Sequence, residues 1–351
     1  MPPPRMGGAG EGGVSVLLVN ALLLILVPTA IYLVILWLLD PYEREPFSDL
    51  GVMLVAGAIV APLLTRLVEI VFGLPNSVYP GLFQVYQIFS GTPPNIWTGV
   101  VEEAAKGVVV LAAFIYMRRE FDDTLDGFVY GAVVGAGFAL TESLLYVKDL
   151  LAVGQAAQVS GGYFFAIFFS GLSQCFFTGI FGASLGYMRE ADPGDWAIGL
   201  GGFLVAALYH MAYIGLAGVA STPGPGLAAA LAGVGRVVVN WLGVAVVLVM
   251  LRWAWARERQ IFSQTLADEV GAGSVTSEEL GFLASGHRVG RQVAALRREG
   301  WARYQSERRL HQALAELAFA KWRIHRGVGS EEEVKRAREE VRRLRGSEGR
   351  A

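Results

Sequence analysis

The chain has 351 residues, of which 54% are hydrophobic and 17% charged, with a mean hydropathy of +0.46. A soluble domain carries about 25% charged residues, so a wholly aqueous globular protein is excluded and the apolar excess must face lipid. The 29 basic and 31 acidic residues nearly balance, which gives no pull toward nucleic acid, and the single Cys175 excludes an intrachain disulfide or a cysteine-cluster metal site.

Residues 1–13 read as a disordered external N-terminus. A helix needs about 20 apolar residues to cross a hydrocarbon core of about 30 Å, and seven such runs follow, near 14–39, 51–73, 98–117, 126–147, 162–188, 196–220 and 229–252. The expected fold is therefore all-α: a polytopic bundle of about seven transmembrane helices over 14–252, followed by a small helical cytoplasmic domain over 253–351. The first run lacks a small-residue cleavage site and reads as a retained anchor, kinked at Pro28. The uncharged stretch 74–97, rich in Pro, Gly and aromatics, suits a re-entrant or interfacial segment or an ordinary loop with aromatics at headgroup level.

Loop charge orients the bundle. Arg44, Arg118, Arg119 and Arg189 lie in alternate loops that share a side with the Arg-rich tail, whereas the opposite side has Arg5 and Lys148 alone. By the positive-inside rule the N-terminus is external and the tail cytoplasmic. Residues 1–252 hold 10 Lys/Arg and 17 Asp/Glu, and residues 253–351 hold 19 and 14, so the tail is mildly basic. Capping boxes at Thr276 with Glu279 and Ser330 with Glu333 start tail helices, and Gly300 and Gly327 break them. Leu310, Leu314 and Leu317 fall at helical spacing, as do Val293, Leu296 and Tyr304 less regularly, which suggests a helical hairpin or bundle. His287, His311 and His325 read as solvated, and the basic surplus suits docking to a partner or to anionic lipid.

Charged groups at membrane depth cost several kcal/mol and need a partner or a task. Arg66 and Glu69, three apart, read as a structural pair. Arg236, near the external end of its run, reads as snorkelling. The rest converge. At a rise of about 1.5 Å per residue, Glu103, Glu142 and His210 fall ~9, ~6 and ~10 Å below the external edge, on three different helices, while Gln174 falls just past mid-membrane. Gly127, Gly131 and Gly135 form a small-residue stripe continued by Phe138 and Glu142, so Glu142 points into the bundle. A matching strip is Gly171, Cys175, Thr178, Gly182 and Gly186, beside Gln174. Lys106 lies i+4 from Glu102 and i+3 from Glu103 and can compensate either, leaving a net negative charge for a second cation, a shared proton or a metal to settle. The blander alternative is that these groups only hold the bundle together.

The sequence VEEAAKG of the third run and the block FDDTLDGFVYGAVVGAGFALTESLLYV resemble the PrsW family of intramembrane proteases, related to the CAAX prenyl protease superfamily. The family's Glu-Glu-x-x-Lys is matched by Glu102, Glu103 and Lys106, and its Phe-x-x-x-Glu by Phe138 and Glu142. DPYEREP at 40–46 resembles its Asp-x-x-x-x-Glu-Pro turn, and its late histidine is matched by His210. The resemblance covers roughly residues 14–220. Two positions depart from it: Gln174 stands where the family commonly has a histidine, and Ile214 where relatives often have Asn, Asp or His. The resemblance implies an intramembrane (metallo)protease of the bacterial cell membrane, acting in regulated proteolysis on a single-span membrane protein such as an anti-sigma factor.

Two arrangements supply the activated water, oxyanion donors and proton that peptide hydrolysis needs. In one, zinc held by Glu103, Glu142 and His210 activates the water. In the other, needing no metal, Glu102 or Glu103 is the base, Lys106 tunes its charge, Glu142 is a second carboxylate, and His210 with Gln174 donates to the oxyanion. A single imidazole is poor for zinc, and a Gln amide is a good donor. The competing classes are a non-catalytic scaffold or receptor of the same fold and a proton-coupled transporter. The lack of paired, interrupted hydrophobic segments weighs against the transporter.

Overall fold

A computed structural model describes residues 11–39, 45–73, 97–118, 120–152, 161–191, 194–220, 226–285, 300–327 and 329–348, and among these no strand forms. The helices are α1 (Glu11–Leu39), α2 (Phe47–Phe72), α3 (Thr98–Tyr116), α4 (Thr124–Ala152), α5 (Gly161–Ala191), α6 (Trp196–Ala220), α7 (Leu227–Thr265), α8 (Ala267–Gly271), α9 (Ser277–Leu283), α10 (Trp301–His325) and α11 (Glu331–Glu348). The described residues up to Val247 form one compact unit, and those from Leu248 onward form a second.

Six of these helices, α1, α2 and α4 to α7, are long and apolar enough to cross a membrane. The 19-residue α3 fills the remaining expected position; Glu102, Glu103 and Lys106 make it too charged to count among the apolar six. Two boundaries differ from the sequence reading. Residues 11–13, expected to be disordered, are helical, and α7 continues past Arg252 to Thr265 because the Arg, Glu and Ala that follow favour helix as well. Residues 1–10, the stretch 74–96, and His287, Val293 and Leu296 lie outside the described residues.

In the first unit α4 is the central element, with its residues from Leu125 to Phe138 almost completely buried. Its glycine stripe explains this. A Cβ on Gly127 would lie 2.2 Å from the Gly182 carbonyl oxygen, one on Gly131 2.5 Å from that of Thr178, and one on Gly135 2.3 Å from that of Gln174. The α4 and α5 backbones therefore touch over three turns, as small-residue packing in lipid requires. On the α2 side Gly57 and Gly137 do the same, since a Cβ on either would lie 2.2 Å from a facing carbonyl oxygen, of Val134 and Leu54 respectively. α1 packs Ala21, Leu24 and Ile25 against Val147 and Ile167.

The start of α4 is capped within its own sequence: Asp123 Oδ1 accepts from the backbone N–H of Leu125 at 2.6 Å and of Asp126 at 3.0 Å. Glu45 and Pro46 at the start of α2 tie back to α4, since the Tyr130 hydroxyl donates to Glu45. Arg189, read from sequence only as an orienting charge, donates to the Phe114 and Phe121 carbonyls and lies 3.8 Å over the Phe114 ring. Exposed Leu, Val, Ile and Trp side chains cover the outer faces of α1, α2, α6 and α7, as a lipid-facing surface requires.

The second unit has its own core, in which Phe262, Leu266, Leu283, Leu314, Leu317 and Val341 are buried. Thr276 and Glu279 form both halves of a capping box, the Glu333 N–H donates to Ser330 Oγ at 3.3 Å, and Gly300 and Gly327 turn the chain at φ 83° and 74°. His325 is exposed as expected, but His311 is half-buried and stacks on Phe282 with ring centroids 4.1 Å apart. Glu269 is buried and receives Arg338 at 2.6 Å and Lys321 at 3.0 Å. Burial pushes its carboxyl up, but hydrogen bonds from Arg338, Ser274 and Lys321, with the Lys321 charge, outweigh this and hold it at about 2.

Two outcomes follow from this packing. A Cβ on Gly182 would meet the Gly127 oxygen at 1.9 Å, and backbone cannot move aside, so Gly182→Leu is expected to abolish the folded, monodisperse protein in detergent. Gly201→Ala, with nothing within 4 Å, leaves the size-exclusion profile unchanged. Because the Glu269 carboxyl is depressed in the folded state, its contribution of about 2–3 kcal/mol is present above its ordinary value of 4.5 and is lost as pH falls toward about 2. Calorimetry of the tail's transition is expected to show Glu269→Gln destabilised at pH 7 and the difference shrinking through that window.

Candidate active site

The six residues singled out from the sequence form one linked cluster in the first unit. α3 supplies Glu102, Glu103 and Lys106, α4 supplies Glu142, α5 supplies Gln174, and α6 supplies His210. Gly99 makes the approach of α3 and α6 possible, since a Cβ there would lie 2.9 Å from the Met211 nitrogen and 3.3 Å from the His210 Cβ. One turn further along α3, the two glutamates then face the imidazole.

His210 lies between them, with Nδ1 2.9 Å from Glu103 Oε1 and Nε2 3.7 Å from Glu102 Oε2. Glu103 also pairs with Lys106, and a carboxylate held by an ammonium accepts, so Nδ1 is the donor, while Nε2 faces Glu102. Lys106 donates to the Gln174 carbonyl as well and lies 4.6 Å over the Phe138 ring. The Gln174 amide nitrogen donates in turn to Glu142 Oε2 at 3.2 Å. A continuous chain thus runs from His210 through Glu103, Lys106 and Gln174 to Glu142. Lys106 is fully buried, and Glu102, Glu103, Gln174 and His210 are buried; Glu142 is partly exposed.

Two further side chains complete the cluster. Thr178 Oγ1 donates to Glu103 Oε2 at 3.1 Å, and Phe177 stacks on His210 with ring centroids 4.5 Å apart and planes 21° from parallel. The sequence reading placed Thr178 only in a small-residue strip and passed over Phe177. The available signal was their spacing, i+4 and i+3 from Gln174 on one helix face. Arg66 and Glu69 pair at 3.4 Å away from the cluster, as expected. Arg236 does not simply snorkel: its guanidinium donates to the Tyr213 hydroxyl at 2.8 Å and lies 4.7 Å over that ring.

Zinc takes about four ligands from thiolate, imidazole and carboxylate. Here the imidazole spends Nδ1 on Glu103, and an ammonium occupies the space between Glu103 and Gln174 that a second cation would need. Among the described residues no group of three or more His, Cys, Asp or Glu is arranged to hold a metal ion. Glu103, Glu142 and His210, the zinc set considered from the sequence, are not arranged as such a group here.

Comparison with known proteins bears on the same segment. Over 113 residues the chain is 26% identical to Protease PrsW of Clostridioides difficile (strain 630), covering 31% of this chain and 42% of that protein. Over 112 residues it is 31% identical to Protease PrsW of Geobacillus kaustophilus (strain HTA426), covering 32% of this chain and 44% of that protein. The chain thus spans less than half the length of these two relatives, and no solved structure matches it. The profile of the PrsW family intramembrane metalloproteases matches residues 45–251, more than half of the chain and every residue of the cluster, so this chain belongs to the PrsW family.

Proposed function

We propose that this protein is an intramembrane endopeptidase that cleaves single-span membrane proteins by glutamate-activated water. The observation that carries the reading is the buried imidazole held between two adjacent glutamates, within the segment shared with the family. A water beside His210 Nε2 and Glu102 attacks the peptide carbonyl carbon and gives its proton to Glu102. His210 orients that water, with its tautomer set by Glu103. The oxyanion takes the remaining amide N–H of Gln174, and the proton on Glu102 passes to the departing amine nitrogen as the C–N bond breaks. Lys106 compensates Glu103, and Glu142 anchors Gln174. No step is assigned to a metal, because the donors present do not form a set for one.

The loop charges support an external N-terminus and a cytoplasmic tail, and the depths of Glu103, Glu142 and His210 along their helices favour an outer-leaflet site. Cleavage is then near the external end of a substrate's transmembrane segment, in the lipid bilayer of a bacterial cell membrane. Membrane-bound regulators such as anti-sigma factors are the substrate class we favour.

The test is cleavage of a tagged single-span substrate panel in proteoliposomes. Glu102→Gln and His210→Ala are each expected to lower the rate by about 100-fold or more while the protein stays folded; full activity in both would remove the peptidase assignment. Dialysis against EDTA or 1,10-phenanthroline is expected to leave the rate within about two-fold of the untreated protein, against a loss of about 100-fold or more if a metal activated the water.

A further inference from the structure

Buried Ser and Thr hydroxyls in helices ordinarily bond back to the carbonyl four residues earlier. Thr29 does so to Ile25 at 3.0 Å, Thr65 to Ala61 at 3.1 Å and Thr265 to Ile261 at 2.8 Å. Thr178, fully buried, departs from that habit and directs its one proton across the bundle to Glu103 Oε2. Its place is set by backbone contact rather than by side-chain fit, since the Thr178 carbonyl is where a Cβ on Gly131 would collide at 2.5 Å.

The consequence lies in the lone-pair accounting at Glu103. Its Oε1 accepts from His210 Nδ1 and from Lys106, and its Oε2 accepts from Thr178. Two oxygens anchored from opposite sides cannot rotate about the terminal torsion of the side chain, which is otherwise broad. Without the Thr178 proton, the Oε1 that meets His210 is free to swing, and the imidazole loses the partner that keeps its proton on Nδ1. Gln174 and Phe177, on the same face of α5, hold Lys106, Glu142 and the His210 ring, so with Thr178 on Glu103 α5 braces four of the groups contributed by other helices.

We infer that Thr178 is a positioning residue for hydrolysis: it locks the Glu103 carboxylate in the orientation that fixes the tautomer and direction of His210. The inference rests on the peptidase reading above.

Thr178→Val keeps the shape and removes the hydroxyl; Thr178→Ser keeps the hydroxyl. In proteoliposomes with a single-span substrate that the parent cleaves, Thr178→Val is expected to lower kcat by about 10-fold or more with KM within about two-fold, and Thr178→Ser to restore most of kcat. Nitrogen-15 spectra of histidine-labelled protein, with His210→Ala assigning the signal, read the tautomer without turnover: Nδ1–H in the parent, and exchange between tautomers in Thr178→Val. Parent-like kcat and an unchanged tautomer in Thr178→Val, or a Thr178→Ser variant as impaired as Thr178→Val, would overturn the positioning role while leaving the peptidase reading intact. A parent that cleaves no member of the panel sinks the peptidase reading itself.

Discussion

The cluster depends on one buried ion pair. Lys106 has no exposed surface and its ammonium lies against Glu103, in a helix bundle that faces lipid. An isolated charge at that depth costs several kcal/mol, and removing one partner of a buried pair costs about 3–5 kcal/mol because the other is left uncompensated. Each neighbour of the pair meets part of that cost. Gln174 gives Lys106 a carbonyl, Phe138 gives it a ring face, and Glu103 is completed by His210 and Thr178. Glu103 is thus held by Lys106, His210 and Thr178 together, while Glu102 faces His210 Nε2 from the other side at 3.7 Å.

What brings those groups together is the absence of side chains elsewhere. The helices that carry the polar groups approach more closely than Leu or Val at the contacts would allow, within the ordinary interhelical distance of about 8–10 Å. Gly127, Gly131 and Gly135 remove the obstacle between α4 and α5, and Gly99 removes it between α3 and α6. Lipid offers no hydrophobic drive for such contacts, so van der Waals packing of backbone on backbone and the hydrogen bonds it permits supply the association. The glycines and the ionisable groups are thus two halves of one requirement.

The fold was legible because its signals are long and redundant. Apolar runs of about 20 residues located α1 to α6 to within a few residues, and capping boxes gave the starts of α9 and α11. The end of α7 was not legible, since the change from apolar to charged residues at Arg252 alters what the helix faces without altering its propensity. In the cluster, Glu102, Glu103, Lys106, Glu142 and His210 stood out because charge is conspicuous in an apolar segment. Depth along each helix follows from the rise per residue, and the structure joins groups that this arithmetic put in neighbouring layers. Thr178 and Phe177 carried no such flag: both are common in membrane helices, and only the facing backbone decides whether a hydroxyl bonds its own helix or another.

Gln174 bears on whether the departure from the family's histidine marks decay. The link from Lys106 to Glu142 needs a side chain that accepts at one end and donates at the other. A neutral imidazole does this with its two nitrogens, and a primary amide does it with its oxygen and nitrogen. Gln174 accepts from Lys106 and donates to Glu142 in that sense, so the substitution preserves the polarity of the chain while removing the group's ability to bind a metal or carry a charge. A site drifting toward inactivity would be expected to lose this pairing, because an apolar replacement leaves Lys106 and Glu142 with unmet bonds in a buried setting. Gln174 keeps both bonds, with the ammonium beside them, so the polar link from Lys106 to Glu142 is unbroken.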